Sequence, residues 1–417
     1  MTRSGEISYN KEQVSKKRSG ILVSLSSLLT SPPQNGYSPV CPATPTGKWI
    51  LGLSTLSDNG LDLSQAKPAP ADEPLVDRFQ LYPGDFLISR SNTLDKVGRV
   101  ALYRGGLEKC SYPDLMMRFR IDPTKVDSDY LEAYLRSEHV VKYLQHHATG
   151  TSGSMKKINQ ATVEAIPIFL PSLLSQQKIA SILSTWDAAI EKTERLIAAK
   201  ERLKVGLMQQ LLTGKHRLKG FKNTWTTFHL GELFSERNER GNDYLPLLSI
   251  TREEGVISRD ELDRRDTSSE DKSSYLRICP GDIGYNTMRM WQGVSALSQL
   301  EGIVSPAYTI CIPKEQVHGK FMAYLFKLPQ IIHLFYRYSQ GLTSDTWNLK
   351  FHHFVQIKVR IPAFAEQAAI AAVLETADTE LKVLRQQKSA LERQKRGLMQ
   401  KLLTGQWRVK AADTEAA

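Results

Sequence analysis

Cysteine is scarce in this chain and never clustered. Cys41, Cys110, Cys279 and Cys311 are the only four in 417 residues, with no C-x-x-C pair among them. That argues against a structural zinc site and a disulfide scaffold, and it suits a reducing cytoplasm. Long apolar runs are missing as well. No stretch approaches the length of a membrane span, and Ile21 to Leu29 is interrupted by serines with no small-residue cleavage site after it. The chain therefore reads as soluble and intracellular. Acidic residues are in deficit: 44 Asp and Glu stand against 55 Lys and Arg, a formal charge of +11. Nucleic acid is the leading class of partner, ahead of an anionic membrane surface.

Catalytic motifs are equally absent. There is no G-x-G-x-x-G cofactor turn and no G-x-x-x-x-G-K-[ST] phosphate loop. An adenine methyltransferase needs an Asn/Asp-Pro-Pro-aromatic tetrapeptide, but the only Pro-Pro pair, Pro32-Pro33, lies between Ser31 and Gln34. Glu380-x-Lys382 matches the tail of a nuclease motif without its upstream acid, and reads as a surface ion pair. His146-His147 and His352-His353 are adjacent pairs whose side chains point apart, with no third ligand in view, so no metal site is expected. No chemistry is expected of this chain.

What it does contain is one stretch that occurs twice. Gln176 to Gly214 returns as Gln367 to Gly405, a constant shift of 191 residues. Gly206-Leu207-Met208-Gln209 repeats as Gly397-Leu398-Met399-Gln400, and Leu211-Leu212-Thr213-Gly214 as Leu402-Leu403-Thr404-Gly405. Each copy reads as one long helix stopped by its glycine. In the second copy Ile370, Leu374, Ala377, Leu381, Leu384, Leu391, Leu398 and Leu402 follow a 4-3 spacing, with Lys388 and Lys395 as polar members. The first copy offers Ile179, Ile182, Trp186, Ala189, Thr193, Leu196, Leu203 and Leu207 as a similar seam. A period of 3.5 is the coiled-coil signature, so the two helices are expected to pack on each other as a rod roughly 55–60 Å long. Gly206 and Gly397 interrupt the helical pattern at about 1 kcal/mol each against alanine. Their repetition suggests close approach of another backbone, that of the paired helix or of a bound subunit.

The rest of the chain follows the same plan twice. Residues 1–20 form a basic arm, 21–171 a mixed globule, 172–214 the first helix, 215–362 a second globule, and 363–417 the second helix with its tail. Pro83-Gly84-Asp85 answers Pro280-Gly281-Asp282, and Gly150-Thr151-Ser152-Gly153 answers Gly341-Leu342-Thr343-Ser344. Pro329 is expected to break or kink the helical stretch from Phe321 to Tyr338. The helices match while the globules diverge. Two globules on an antiparallel rod make a caliper that suits DNA, whose half-sites on one face lie about 34–36 Å apart.

This arrangement resembles the specificity subunit of type I restriction–modification enzymes over nearly the whole chain. The resemblance rests on the proline-to-glutamine lead-ins (Pro171 to Gln176-Gln177, Pro362 to Glu366-Gln367), the Gly-Leu-Met-Gln-x-Leu-Leu-Thr-Gly ends, and Thr213-Gly214-Lys215-His216-Arg217-Leu218. Ser175 departs from the pattern, standing where Glu366 stands in the second copy. The resemblance implies an α+β chain in which two target recognition domains are separated by two long helices in an antiparallel coiled coil, a pseudo-two-fold duplication. It implies that each globule reads half of a bipartite, asymmetric site in double-stranded DNA. It also implies two methyltransferase subunits docked on the helices, restriction subunits with them, and a prokaryotic cytoplasm. S-adenosylmethionine then belongs to the methyltransferase partner, and no cofactor is expected in this chain. A coiled-coil adaptor whose globules bind proteins is the competing reading, and an enzyme with unrecognised chemistry a third.

Base and phosphate contacts are expected on loops held by the globules' sheets. In the first globule these are Ser89, Arg90 and Asn92 after the Pro-Gly-Asp strand, then Thr151, Ser152, Lys156 and Lys157. Their counterparts are Asn286, Thr287 and Arg289, then Thr343, Ser344 and Lys350. Arg suits guanine and Asn adenine, whereas Lys, Ser and Thr more often meet phosphate. An ordinary turn is the alternative for each. Trp291 and Trp347 could wedge against DNA, with a core role preferred. For partner docking the named residues are Gln176, Gln367, Met208, Met399, Leu212 and Leu403, several of which helix packing would also require.

Overall fold

The computed structural model describes residues 20–57, 60–150, 155–261, 271–343 and 346–409. It divides into two compact units. One holds the chain up to Lys192 together with everything from Lys388 on, and the other holds Thr193–Gln387. Each unit therefore takes half of each long helix.

The first unit begins with β1 (Ile21–Ser24) and β2 (Leu29–Asn35), continues through β3 (Phe86–Ser89), β4 (Val100–Leu102) and β5 (Met116–Ile121), then the helices α1 (Ser128–Leu135) and α2 (Glu138–His147), and closes with β6 (Pro167–Leu170). The four-stranded antiparallel sheet runs β2-β5-β3-β4, and β1 pairs with β6. Phe86, Ile88, Met117 and Phe119 send one face of the sheet onto α1 and α2, while Leu87, Ala101 and Met116 pack the other face against Leu51, Leu81 and Tyr112. Burial on both faces explains the unbroken Phe-Leu-Ile run of β3.

The second unit repeats the order with β7 (Thr226–His229), β8 (Phe234–Glu236), β9 (Ile283–Asn286), β10 (Ser295–Leu297), β11 (Tyr308–Pro313) and β12 (Lys358–Ile361). Its sheet runs β8-β11-β9-β10, again with the outer pair β7-β12. The expected break at Pro329 is present. It separates helices Gly319–Leu325 and Pro329–Tyr338, and the proline opens the second, where its missing N–H removes no intrahelical bond. Both Pro-Gly-Asp turns bury their carboxylate on an arginine. Asp85 receives Arg120 and Asp282 receives Arg237, each also accepting a backbone N–H of its own turn.

The long helices are α3 (Leu173–Leu211) and α6 (Phe364–Leu403), and α4 and α5 denote the pair at 319–338. In the first unit Ile179 and Leu183 share a core with Leu402 and Leu403. In the second, Leu211 and Leu212 share one with Ile370 and Leu374. There Lys204 pairs with Asp378 and Glu201 with Arg385, so numbers rising along α3 meet numbers falling along α6. The pairing is antiparallel.

The seam of α6 is as read from sequence, including its inward lysines 388 and 395. That of α3 needs correction. Leu196 and Leu203 are 43% and 54% exposed. The inward row is Ile179, Leu183, Trp186, Ile190, Thr193, Ile197, Lys200, Lys204, Leu207 and Leu211, which is the α6 row displaced by 191 residues. Lys200 and Lys204 can lie inward because each finds an acid on α6, Glu380 and Asp378, while its methylenes cover apolar surface.

Candidate nucleic-acid interface

In each unit the chain past the central strand is tied to a closed neck, and in the first unit it also forms a short ribbon. Past β3 in the first unit, Ser91-Asn92 pairs antiparallel with Lys156-Lys157, and Ile158 N–H donates to the Arg90 carbonyl at 3.0 Å. Thr149 and Lys157 exchange both backbone hydrogen bonds at 2.8 Å, closing a neck under the loop between them. The second unit builds the same neck from Gln340 and Asn348, at 2.9 and 2.8 Å, with Leu349 N–H donating to the Thr287 carbonyl at 2.8 Å. Every loop-side partner here is displaced by 191 residues. Gly150 and Gly341 sit at the necks with φ of +132° and +150°, and a Cβ on either would come within 2.7 Å of backbone atoms across the loop. Only glycine fits there.

The expected contact residues are sorted by this frame. Arg90, Asn92, Lys156 and Lys157 come together on the ribbon of the first unit. The Arg90 guanidinium reaches the Asp114 carbonyl at 3.4 Å, the Lys156 ammonium donates to the Gly150 carbonyl, and Lys157 is exposed. Ser89 does not belong with them. It is 0% exposed because β3 is covered on both faces, and its hydroxyl lacks a hydrogen-bond partner in the described structure. Thr151, Ser152 and Ser344 lie outside the described residues, as does the basic arm up to residue 19.

In the second unit Asn286 and Thr287 lie half-buried at the end of β9. The Asn286 carboxamide accepts from Met288 N–H, and the Thr287 hydroxyl donates to the Ala307 carbonyl. Arg289, Thr343 and Lys350 are exposed. Trp291 and Trp347 belong to no buried core. They meet edge-on at 5.2 Å, and Tyr336 adds a second edge contact to Trp347 at 4.8 Å. Tyr336 was not foreseen from sequence, although its place on the outer face of an amphipathic helix beside His333 was a readable signal. Lys327, also unforeseen, holds the loop after β9 from below by donating to the carbonyls of Gly293 and Ser295 at 2.8 and 2.6 Å. Burial lowers its pKa to about 8.

The residues named for partner docking lie largely inside. Gln176 and Gln367 are 1% and 0% exposed, and Leu212 and Leu403 are core residues. Met208 and Met399 pack half-buried against the same cores. The glutamines are clamps. Gln176 accepts from Asp127 N–H and donates to the Pro171 carbonyl, and Gln367 accepts from His318 N–H and donates to the Pro362 and Gln316 carbonyls. Buried amides with their hydrogen bonds taken up internally offer nothing to another chain. Open helix surface lies elsewhere: nothing within 4 Å would meet a Cβ at Gly206 or Gly397, so the paired helix is not what these glycines admit. Leu196, Leu203 and Val205 lie exposed on the same helix as Gly206.

Among the described residues no three His, Cys, Asp or Glu come together to hold a metal, and no helix is long and apolar enough to cross a membrane.

Residues 74–201 match the family model described as the type I restriction modification DNA specificity domain. The putative type I restriction enzyme MjaX specificity subunit of Methanocaldococcus jannaschii is 26% identical over 386 residues, 87% of either chain. The MjaVIII specificity subunit of the same organism is 26% identical over 339 residues, 75% of this chain and 77% of that one. The crystal structure of the type I restriction–modification S subunit from M. genitalium shares the fold. It covers 97% of this chain and 99% of its own, with a TM-score of 0.54 at 15% identity.

Proposed function

As a relative of the type I restriction specificity subunits, this chain is, we propose, the DNA-reading subunit of such a system. Each unit reads one half of a bipartite, asymmetric site, and the long helices set the spacing of the halves and dock methyltransferase subunits, with restriction subunits through them. The observation that carries this reading is the pair of necks, Thr149 with Lys157 and Gln340 with Asn348. One frame, held by equivalent hydrogen bonds, presents Arg90, Asn92 and Lys157 in the first unit and Thr287, Arg289 and Lys350 in the second. A matching neck with unlike side chains is what two unlike half-sites require.

The chain itself performs no chemistry in this reading. Its residues position the duplex, and methyl transfer with its S-adenosylmethionine resides in the partner. Docking is supported by Leu196 and Leu203, exposed apolar side chains seven residues apart on one side of the helix, and by the open Gly206 one turn further on.

The test is selection from a randomised duplex pool with the co-purified methyltransferase complex at about 150 mM salt, where phosphate-only binding is already weakened. Two short, unlike motifs at a fixed gap are expected. A pool that stays random while the protein complex stays intact supports the adaptor reading instead.

A further inference from the structure

The two units differ at one place where their shared frame makes the difference interpretable. In the second unit Tyr324 of α4 lies against the helix pair. Its hydroxyl donates to Asp378 at 2.5 Å, and the Lys204 ammonium, itself paired with Asp378, stands 5.5 Å from the ring centroid. The equivalents under the 191-residue shift are Ala133 on α1 and Asp187 on α3, each 191 residues earlier, and Lys395 on α6, 191 residues after Lys204. Lys395 still pairs with Asp187, but the ring and its hydroxyl are gone.

The equivalence is structural as well as numerical. α1 begins at Ser128 and α4 at Gly319, and the backbone N–H ahead of each is held by the matching glutamine clamp. The first unit has a cavity of about 690 Å³ here, lined by Ala133, Leu183, Asp187, Lys395 and Met399, with Arg104 at its side. Arg104 is engaged by Asp129 and Glu132. The side chain of Asp187 is 60% exposed, against 42% for Asp378.

The lining selects a chemical class. Five cations and four carboxylates line the cavity, Lys395 and Asp187 among them, so an anion meets carboxylates and a cation meets ammonium and guanidinium groups, each unfavourably. A neutral donor on an aromatic ring satisfies both, because the hydroxyl bonds the carboxylate and the ring face receives the ammonium. The apolar wall of Ala133, Leu183 and Met399 suits the ring. The volume exceeds one aromatic ring and leaves room for the backbone that carries it. We propose that this cavity binds a tyrosine side chain supplied by another protein chain, bound as Tyr324 is within its own unit.

The probes are p-cresol, N-acetyltyrosinamide and toluene, each titrated into the full-length protein and followed by ligand-observed NMR. Both phenols are expected to bind in the millimolar range suited to ligands of that size, and toluene at least about fivefold more weakly. Asp187→Ala removes a charged acceptor and is expected to weaken p-cresol about tenfold. Ala133→Tyr supplies the ring from α1 and is expected to abolish binding of both phenols while raising Tm. Because Asp187 is largely exposed, its variant keeps the fold and decides the matter even where Ala133→Tyr is not obtained folded. Toluene binding as tightly as p-cresol, or p-cresol binding unchanged by Asp187→Ala or surviving Ala133→Tyr, overturns the site. Binding of p-cresol without N-acetyltyrosinamide overturns the protein source and leaves a pocket for free phenols.

Discussion

Replacing either clamp glutamine by alanine should loosen one unit and spare the other. Gln176→Ala removes two buried hydrogen bonds, to Asp127 N–H at 2.8 Å and to the Pro171 carbonyl at 2.8 Å. Gln367→Ala removes three, to His318 N–H at 2.9 Å and to the Pro362 and Gln316 carbonyls at 2.9 and 3.1 Å. Each buried group left without a partner costs about 1–3 kcal/mol, less where water reaches it. The expected losses are about 2–4 kcal/mol at position 176 and about 3–5 kcal/mol at position 367, the difference being one bond. The N–H groups of Asp127 and His318 are themselves the reporters. Hydrogen–deuterium exchange, resolved by mass spectrometry to short peptides, should show about 30-fold to 1,000-fold faster exchange at the peptide holding Asp127 in the first variant, at about 1.4 kcal/mol per tenfold. The peptide holding His318 should be unchanged there, and the pattern should invert in the second variant. Unchanged exchange in both variants would refute the clamp. Unchanged exchange together with lost co-purification of the methyltransferase would restore the docking role read from sequence.

Leu196→Glu with Leu203→Glu changes only exposed positions, so unfolding should shift by no more than about 0.5 kcal/mol. Co-purification of the methyltransferase should be lost, and its retention would remove this face from the docking surface. Arg289→Ala should cost about 1–3 kcal/mol on the preferred duplex and relax one half-site only, as measured by competition binding. Lys157→Ala should leave selectivity intact and flatten the salt dependence by about one phosphate contact. Lys327 has its pKa lowered to about 8, chiefly by burial and with Arg252 adding to the lowering while Glu253 opposes it, against about 10.4 in the unfolded chain. The unfolded state therefore binds more protons between those values, and stability from this residue rises with pH through the window and is flat below it. The difference in unfolding free energy between wild type and Lys327→Met should move in favour of wild type by about 1–2 kcal/mol from pH 7 to 9.5. A pH-independent difference would show that the ammonium is not desolvated.

The duplication and the helices were legible because both are periodic. A constant shift and a 4-3 spacing survive whatever surrounds them. The seam of α3 was misread where it becomes polar: Leu196 and Leu203 stand seven apart and imitate a packing row, while Lys200 and Lys204 take the inward places because acids on α6 meet them. No pattern in α3 alone contains that information. Ser89 was misplaced by a single residue, since the strand stays buried to its last member before Arg90 emerges. Repetition singles out the glutamines, and polar side chains on a helix usually face water, so a docking role is the ordinary expectation for them. Their real partners are backbone groups about 50 residues away (Asp127 and His318) and only folding brings them near. The two glycine loops are legible as a repeated pair, whereas the necks that close them are not, and Tyr336 and Lys327 reach the second from a different element that leaves no local trace.

The necks have a consequence for how this molecule can change over time. Two backbone hydrogen bonds between Thr149 and Lys157, and two between Gln340 and Asn348, already close the loops they carry. The entropy of closing a loop grows only with the logarithm of its length, about 0.6 kcal/mol for each doubling. Side chains past the neck can be replaced, and residues inserted, while the sheet and helices below scarcely register the difference. Glycines 150 and 341 are held in place by geometry, because no other residue adopts their backbone conformation without a clash. Substitutions and insertions past the necks are therefore expected to cost little stability, so an altered preference can arise without an intermediate that fails to fold.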